Sequence, residues 1–211
     1  MDGDTLVEAA PVPGLSRGRH ARTPSRGRRW ITETLVVVVI AVVVAVVLRT
    51  FFVATYSIPS GSMEPTLNVG DRILVDKLAY HLHGIGRGDI VVFSTPKDEH
   101  CAGPPVADLV KRVIGLAGET ISLSGGQVYI NGKVLPETFL PDATQHETTP
   151  GPSGAPYALN HPFTVPAGDV YVMGDNRTES CDSRYWGPIK ASTIVGKVDM
   201  RIWPVSRLHF F

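Results

Sequence analysis

The chain has 211 residues, 20 basic and 20 acidic side chains, a formal net charge of zero and 43% hydrophobic residues. That length holds one or two domains with a buried core, the apolar content excludes a disordered chain, and balanced charge argues against nucleic acid as a partner, because phosphates need a basic surface. Two cysteines exclude a disulfide-dense scaffold and a multi-cysteine zinc site.

The zero is a cancellation. Residues 1–54 hold seven Arg against Asp2, Asp4, Glu8 and Glu33, a balance of +3, and the rest of the chain carries −3. Residues 1–29, rich in Gly, Pro, Ser and Arg without an apolar period, read as a disordered cytoplasmic tail. Leu35 to Leu48 is then an unbroken apolar run of fourteen residues, nine of them Val. Fourteen helical residues span about 21 Å, short of a hydrocarbon core of roughly 30 Å. Extension through Arg49 and Thr50 to Ala54 makes the segment long enough, with the Arg49 stem in the apolar layer and its guanidinium at the interface. We therefore expect a single transmembrane helix over 30–54, resting in the lipid bilayer, with the N-terminus cytoplasmic and residues 55–211 extracytoplasmic by the positive-inside rule. A cleaved signal peptide is the competing reading, although Phe52-Val53-Ala54 is the nearest approach to a small-x-small site.

Beyond residue 54, Gly and Pro are frequent and no long helical period occurs, so the class is mostly β. Strands are expected at Arg72–Val75, Asp89–Phe93, Leu109–Ile114, Thr120–Leu123, Val128–Ile130, Lys133–Leu135, Asp169–Met173 and Ile194–Ile202. Asn131-Gly132 is a hairpin signal, since both residues tolerate positive φ. Residues 136–168, rich in Pro, Thr, Gly and Ser, read as an irregular surface excursion.

Three stretches could carry chemistry. In Ile58-Pro59-Ser60-Gly61-Ser62-Met63-Glu64-Pro65, glycine permits a tight backbone that presents the Ser62 hydroxyl beside its own N–H, which suits a nucleophile with an oxyanion donor. A stiff linker leaving the membrane explains the same residues. In Asp108–Ile114, read as a strand, Lys111 shares a face with Leu109 and Val113, and Arg112 shares the other with Val110 and Ile114. An edge-strand lysine is one account of this, and a desolvated general base is the other. Met173–Arg184 is a dense polar loop after an apolar strand, either a functional loop or a turn held by its own ion pairs. The seven His show no ligand spacing beyond His81-x-His83, which on a strand would share one face. No Gly-x-Ser-x-Gly elbow, P-loop or dinucleotide fingerprint is present.

Taken in order behind an anchor, the boxes Ser60–Thr66, Arg87–Phe93, Val110–Gly115 and Gly174–Arg177 through Arg184 resemble the bacterial type I signal peptidases. The resemblance implies a β-rich catalytic domain with a small β extension over about 116–168, behind the membrane helix. It implies a serine endopeptidase that removes signal peptides from exported preproteins after small residues (Ala-X-Ala type), with no metal and no cofactor. By the same resemblance, Ser62 is the nucleophile and Lys111 the general base of a Ser/Lys dyad. Ser60 and the Ser62 N–H form the oxyanion site, and Ser180 hydrogen-bonds and orients the Lys amine. Asp175, Asp182 and Arg184 form a supporting cluster, and Ile58, Leu109 and Val110 line the substrate pocket. A monomer is expected. Cys101 and Cys181, both outside the membrane, are expected to pair, two free thiols being the alternative. Two rival readings stand beside this one. A self-cleaving Ser/Lys repressor is contradicted by the membrane run, whereas a membrane-tethered β-rich binding protein explains anchor and strands without catalysis.

Overall fold

The computed structural model describes residues 26–99, 101, 106–141, 144–153 and 155–211. The chain divides between Val44 and Ala45 into two units. Helix α1, Arg26–Phe51, has 26 residues, about 39 Å at the helical rise. Its stretch Trp30–Val47 is long and apolar enough to cross a membrane, and none of it is buried against protein. Valine is an indifferent helix former in water. In hydrocarbon each backbone polar group must be paired within its own segment, which overrides that preference. The helix begins at Arg26, so the last four residues of the expected tail, Arg26–Arg29, are helical instead of disordered; residues 1–25 and the side chain of Arg49 lie outside the described residues.

The helix stops short of the expected residue 54. Val53 and Ala54 instead open strand β1, Val53–Ser57, which pairs antiparallel with β2, Arg72–Asp76, from Val53↔Asp76 to Ser57↔Arg72. The further strands are β3 (Ile90–Ser94), β4 (Asp108–Gly115), β5 (Thr120–Ser124), β6 (Gln127–Ile130), β7 (Lys133–Val134), β8 (Phe163–Thr164), β9 (Asp169–Met173), β10 (Ile189–Lys190), β11 (Ile194–Trp203) and β12 (His209–Phe210). They form an eight-stranded sheet ordered β1-β2-β11-β3-β4-β9-β10, with β12 on β11, and a four-stranded sheet ordered β7-β6-β5-β8. Helices in this unit beyond α1 are single turns, α2 (Ala79–Leu82) and α3 (Ser183–Trp186). His81 and His83 fall on α2 and its C-terminal cap, not on a strand.

Strand β3 shows why the main sheet has no solvent face at its centre. Ile-Val-Val-Phe does not alternate, and the four residues are buried. Ile90 and Val92 enter one core with Ile58, Met63, Leu67, Ile73 and Val75. Val91 and Phe93 enter a second with Val113, Val172 and Trp186. A strand covered on both faces is apolar throughout. The smaller sheet adds a third core around Ile114, Ile121, Val128 and Tyr171.

Asn131 (φ 49°) and Gly132 (φ 77°) make the expected tight hairpin between β6 and β7. Gly125-Gly126, also at positive φ, makes a second between β5 and β6 that the sequence reading passes over. Residues 136–168 are less superficial than expected. Leu140, Leu159 and Val165 are buried there, and Phe163–Thr164 pairs with β5.

Candidate active site

Ser62 lies in a single 3₁₀ turn, Gly61–Met63. Apolar side chains on both sides anchor this turn, since Ile58, Met63 and Leu67 are buried in the first core. Ser62 is thereby presented from a fixed backbone although its turn is short. Lys111 reaches it from β4. The Lys111 Nζ and Ser62 Oγ are 2.6 Å apart, and Lys111 is only 3% exposed. As the strand parity predicts, its neighbours Leu109 and Val113 pack on the second core.

Burial dominates the electrostatics of Lys111, lowering its pKa to about 8. The Asp182 carboxylate opposes that shift and the Arg184 guanidinium adds to it. Asp182 and Arg184 form a buried, doubly hydrogen-bonded pair (Nε–Oδ1 2.8 Å, Nη2–Oδ2 2.8 Å). Burial alone would raise the Asp182 pKa, and Arg184 with the Gly174 N–H more than offsets it, keeping the carboxyl ionised. The amine thus sits by a pair of zero net charge in a water-poor setting, where its neutral form is accessible near neutral pH.

One expectation needs correction. Ser180 Oγ is buried but has no hydrogen-bond partner, so it does not bond the Lys111 amine; that amine is directed at Ser62 instead. Asp175, Asp182 and Arg184 are all buried and all act on the Lys111 charge. Asp175 does so from a separate ion pair, binding Arg112 through two hydrogen bonds (2.8 and 2.5 Å) on the opposite parity of β4 from Lys111. The sequence alone assigns no role to Asn176 and Arg177, although both stand in the last of the four boxes, and Glu137 is not singled out at all. Arg177 is buried, pairs with Glu137, and donates to Thr148 Oγ1 (2.8 Å) and Gly174 O (3.1 Å). Asp182 accepts the Gly174 N–H at 3.0 Å, so the Gly174 peptide groups are held on both sides. A Cβ at Gly174 would collide with Ser62 O and Ser180 Oγ, which makes glycine the residue that lets the loop close on the serine turn. A buried cation such as Arg177 demands a buried anion, but its partner lies forty residues away in sequence, beyond any local pattern.

Ser60 is exposed, with its Oγ 3.4 Å from Ser62 Oγ. Ile58, Leu109 and Val110 line one cleft of about 300 Å³ together with Ser60, Ser62 and Lys111. A second cleft of about 490 Å³ shares Ser60, Ser62 and Lys111 and adds Asn176, Glu99 and Glu179. Among the described residues, the Asp108–Lys111 half of β4 pairs with β3 alone, because its pairing with β9 starts at Arg112. A cavity of about 550 Å³ elsewhere touches neither Ser62 nor Lys111, and its cations are spoken for by Asp175, Asp71 and Asp89.

Cys101 and Cys181 form a disulfide, with Cα atoms 6.2 Å apart, tying the approach to β4 to the Ser180 loop. Glu99 lies beside the two sulfurs, but sulfurs bonded to each other are not thiolate ligands, which leaves one carboxylate as a donor.

Residues 31–203 match the family described as "Signal peptidase, peptidase S26". The chain belongs to that family. The match runs from the apolar helix through β11 and so takes in both Ser62 and Lys111. Among relatives of this peptidase family, the chain is 36% identical to the signal peptidase I of Leptolyngbya laminosa, over 94% of this chain and 93% of that one. It is 39% identical to the signal peptidase I of Bacillus caldolyticus, over 88% and 95% of the two chains. A crystal structure of a signal peptidase I from Enterococcus faecalis V583 is 32% identical and covers 55% of this chain and 97% of its own, with a TM-score of 0.41.

Proposed function

We propose that this S26 peptidase is a membrane-anchored endopeptidase that removes signal peptides from exported preproteins through a Ser62/Lys111 dyad. The observation that carries this reading is the 2.6 Å contact between Ser62 Oγ and a buried lysine drawn down to about pH 8. Neutral Lys111 takes the Ser62 proton as Oγ attacks the scissile carbonyl, whose π electrons move to oxygen. The Ser62 N–H and the Ser60 hydroxyl stabilise that oxyanion. The protonated Lys111 then gives its proton to the leaving amine as the C–N bond breaks, and a water activated by the same amine hydrolyses the ester.

The substrate is an extended segment added along Asp108–Lys111 to the edge of β4 away from β3. Small side chains would enter the cleft of about 300 Å³ lined by Ile58, Leu109 and Val110. In this reading the Arg-rich segment ahead of Trp30, including the first turn of α1, is cytoplasmic, the apolar part of α1 is the anchor, and the peptidase domain lies outside. Confinement to the bilayer raises the effective concentration of a substrate still held by its own apolar segment.

Cleavage of a preprotein with an Ala-X-Ala site, in detergent, tests the dyad. Ser62→Ala and Lys111→Ala should each lower kcat by about 10³-fold or more. Substantial activity in either variant contradicts the assignment, and a tethered binding protein would cleave nothing at all.

A further inference from the structure

The Met173–Arg184 loop holds one side chain that the dyad chemistry leaves unassigned. Asn176 makes two contacts with the serine turn: its backbone N–H donates to Ser62 O at 3.2 Å, and its side-chain Nδ2 donates to Gly61 O at 3.2 Å. The Thr178 hydroxyl donates to Asn176 Oδ1 over a long 3.4 Å, which agrees with this amide orientation. Gly61 O also accepts from Glu64 N at 3.0 Å, so this carbonyl is held by two donors.

The carbonyl of Gly61 and the N–H of Ser62 belong to one peptide group. The cis bonds among the described residues are Glu64-Pro65 and Trp203-Pro204, so Gly61–Ser62 is trans and planar. In a trans peptide the C=O and N–H point in opposite directions and turn together. Holding the carbonyl therefore aims the N–H, and donors on the carbonyl polarise that N–H toward a stronger bond. We infer that Asn176 is a positioning residue that orients the Ser62 N–H as an oxyanion donor, acting through the Gly61 carbonyl. This rests on the reading of Ser62 as nucleophile. A short 3₁₀ turn around a glycine has a soft peptide plane, and oxyanion donors are effective only when fixed before charge develops. Asn176 supplies that fixation from a loop which Arg177, Asp182 and the disulfide hold in place.

The test uses the full-length protein in detergent with Asn176→Ala and the near-isosteric Asn176→Asp, which removes the Nδ2 donor. For both, kcat should fall about 10- to 100-fold, with KM within about 2-fold of wild type, because the ground-state carbonyl gains little from the donor. A substrate-like peptide aldehyde, whose hemiacetal with Ser62 places an oxygen in the same position, should lose affinity by the same factor as kcat. For Asn176→Ala the pH midpoint of kcat/KM should stay where it is, since Lys111 is untouched, whereas Asn176→Asp puts a carboxylate in the cleft that Lys111 also lines and should move the midpoint up. Losses below about 3-fold in both variants, a loss carried by KM, unchanged aldehyde affinity or a displaced midpoint in Asn176→Ala would each overturn the inference. If Asn176→Ala fails to fold, Asn176→Asp carries the comparison of kcat, KM and aldehyde affinity at the pH plateau. Should wild type fail to cleave, the proposed signal-peptide activity falls; should Ser62→Ala cleave, the reading of Ser62 as nucleophile falls.

Discussion

A lysine ammonium in water keeps its proton to about pH 10.4, whereas the buried Lys111 gives it up near 8. That difference has a stability cost. Between about pH 8 and 10.5 the unfolded chain binds the proton and the folded chain does not, so stability rises with pH through this window. Below pH 8 both states are protonated and the full penalty, about 3 kcal/mol, is present. Lys111→Met, apolar and of similar length, should therefore stabilise the protein by about 1–3 kcal/mol at pH 6.5, with the gain fading toward pH 10. Urea denaturation at both pH values reads this out. Equal stability at pH 6.5 would mean that the amine is better solvated than its burial implies. In the proposed dyad, the reactivity of Lys111 comes at the expense of stability.

At the scale of elements, the short boxes work because other elements pin them. The Ser62 turn is tied down by its flanking core residues and by Asn176, and the Gly174 loop by Arg177 and Asp182. Gly174→Ala should lower activity by 100-fold or more and cost about 1–3 kcal/mol, measured by cleavage and thermal melting. Near-normal activity would show that the loop can retreat without disturbing Ser62. Much of this was legible in sequence. The eight strands expected from β-branched runs are all present, and the parity of β4 placed Lys111 between Leu109 and Val113. The misreadings have physical causes. Val53 and Ala54 are apolar enough for lipid, yet their pairing with Asp76 and Val75 decides for a strand, and no local pattern reveals a partner twenty residues away. Residues 136–168 have the composition of a surface loop, but Glu137 and Thr148 are drawn inward by the Arg177 guanidinium. Ser180 packs beside Gly174 and the Ser62 carbonyl, and the direction of its hydroxyl is set by that packing, which no local pattern reveals.

Across the whole molecule, the opening cancellation of charge separates an Arg-rich segment with an apolar helix from a β-rich peptidase unit of slightly acidic balance. Within that unit one covalent link joins positions 80 residues apart, Cys101 and Cys181. A loop of that length restricts the unfolded chain enough to contribute about 2–4 kcal/mol. Cys181→Ser should lower the melting temperature in non-reducing buffer, and dithiothreitol should lower wild type to the same value while leaving the variant unmoved. No effect of either would mean that the thiols are free in the isolated protein. The pH dependence of kcat/KM for preprotein cleavage decides whether neutral Lys111 deprotonates Ser62 as proposed. Cleavage should rise through a single ionisation near pH 8 to a plateau above it. A profile that is flat from pH 5 to 9 would contradict that proposal.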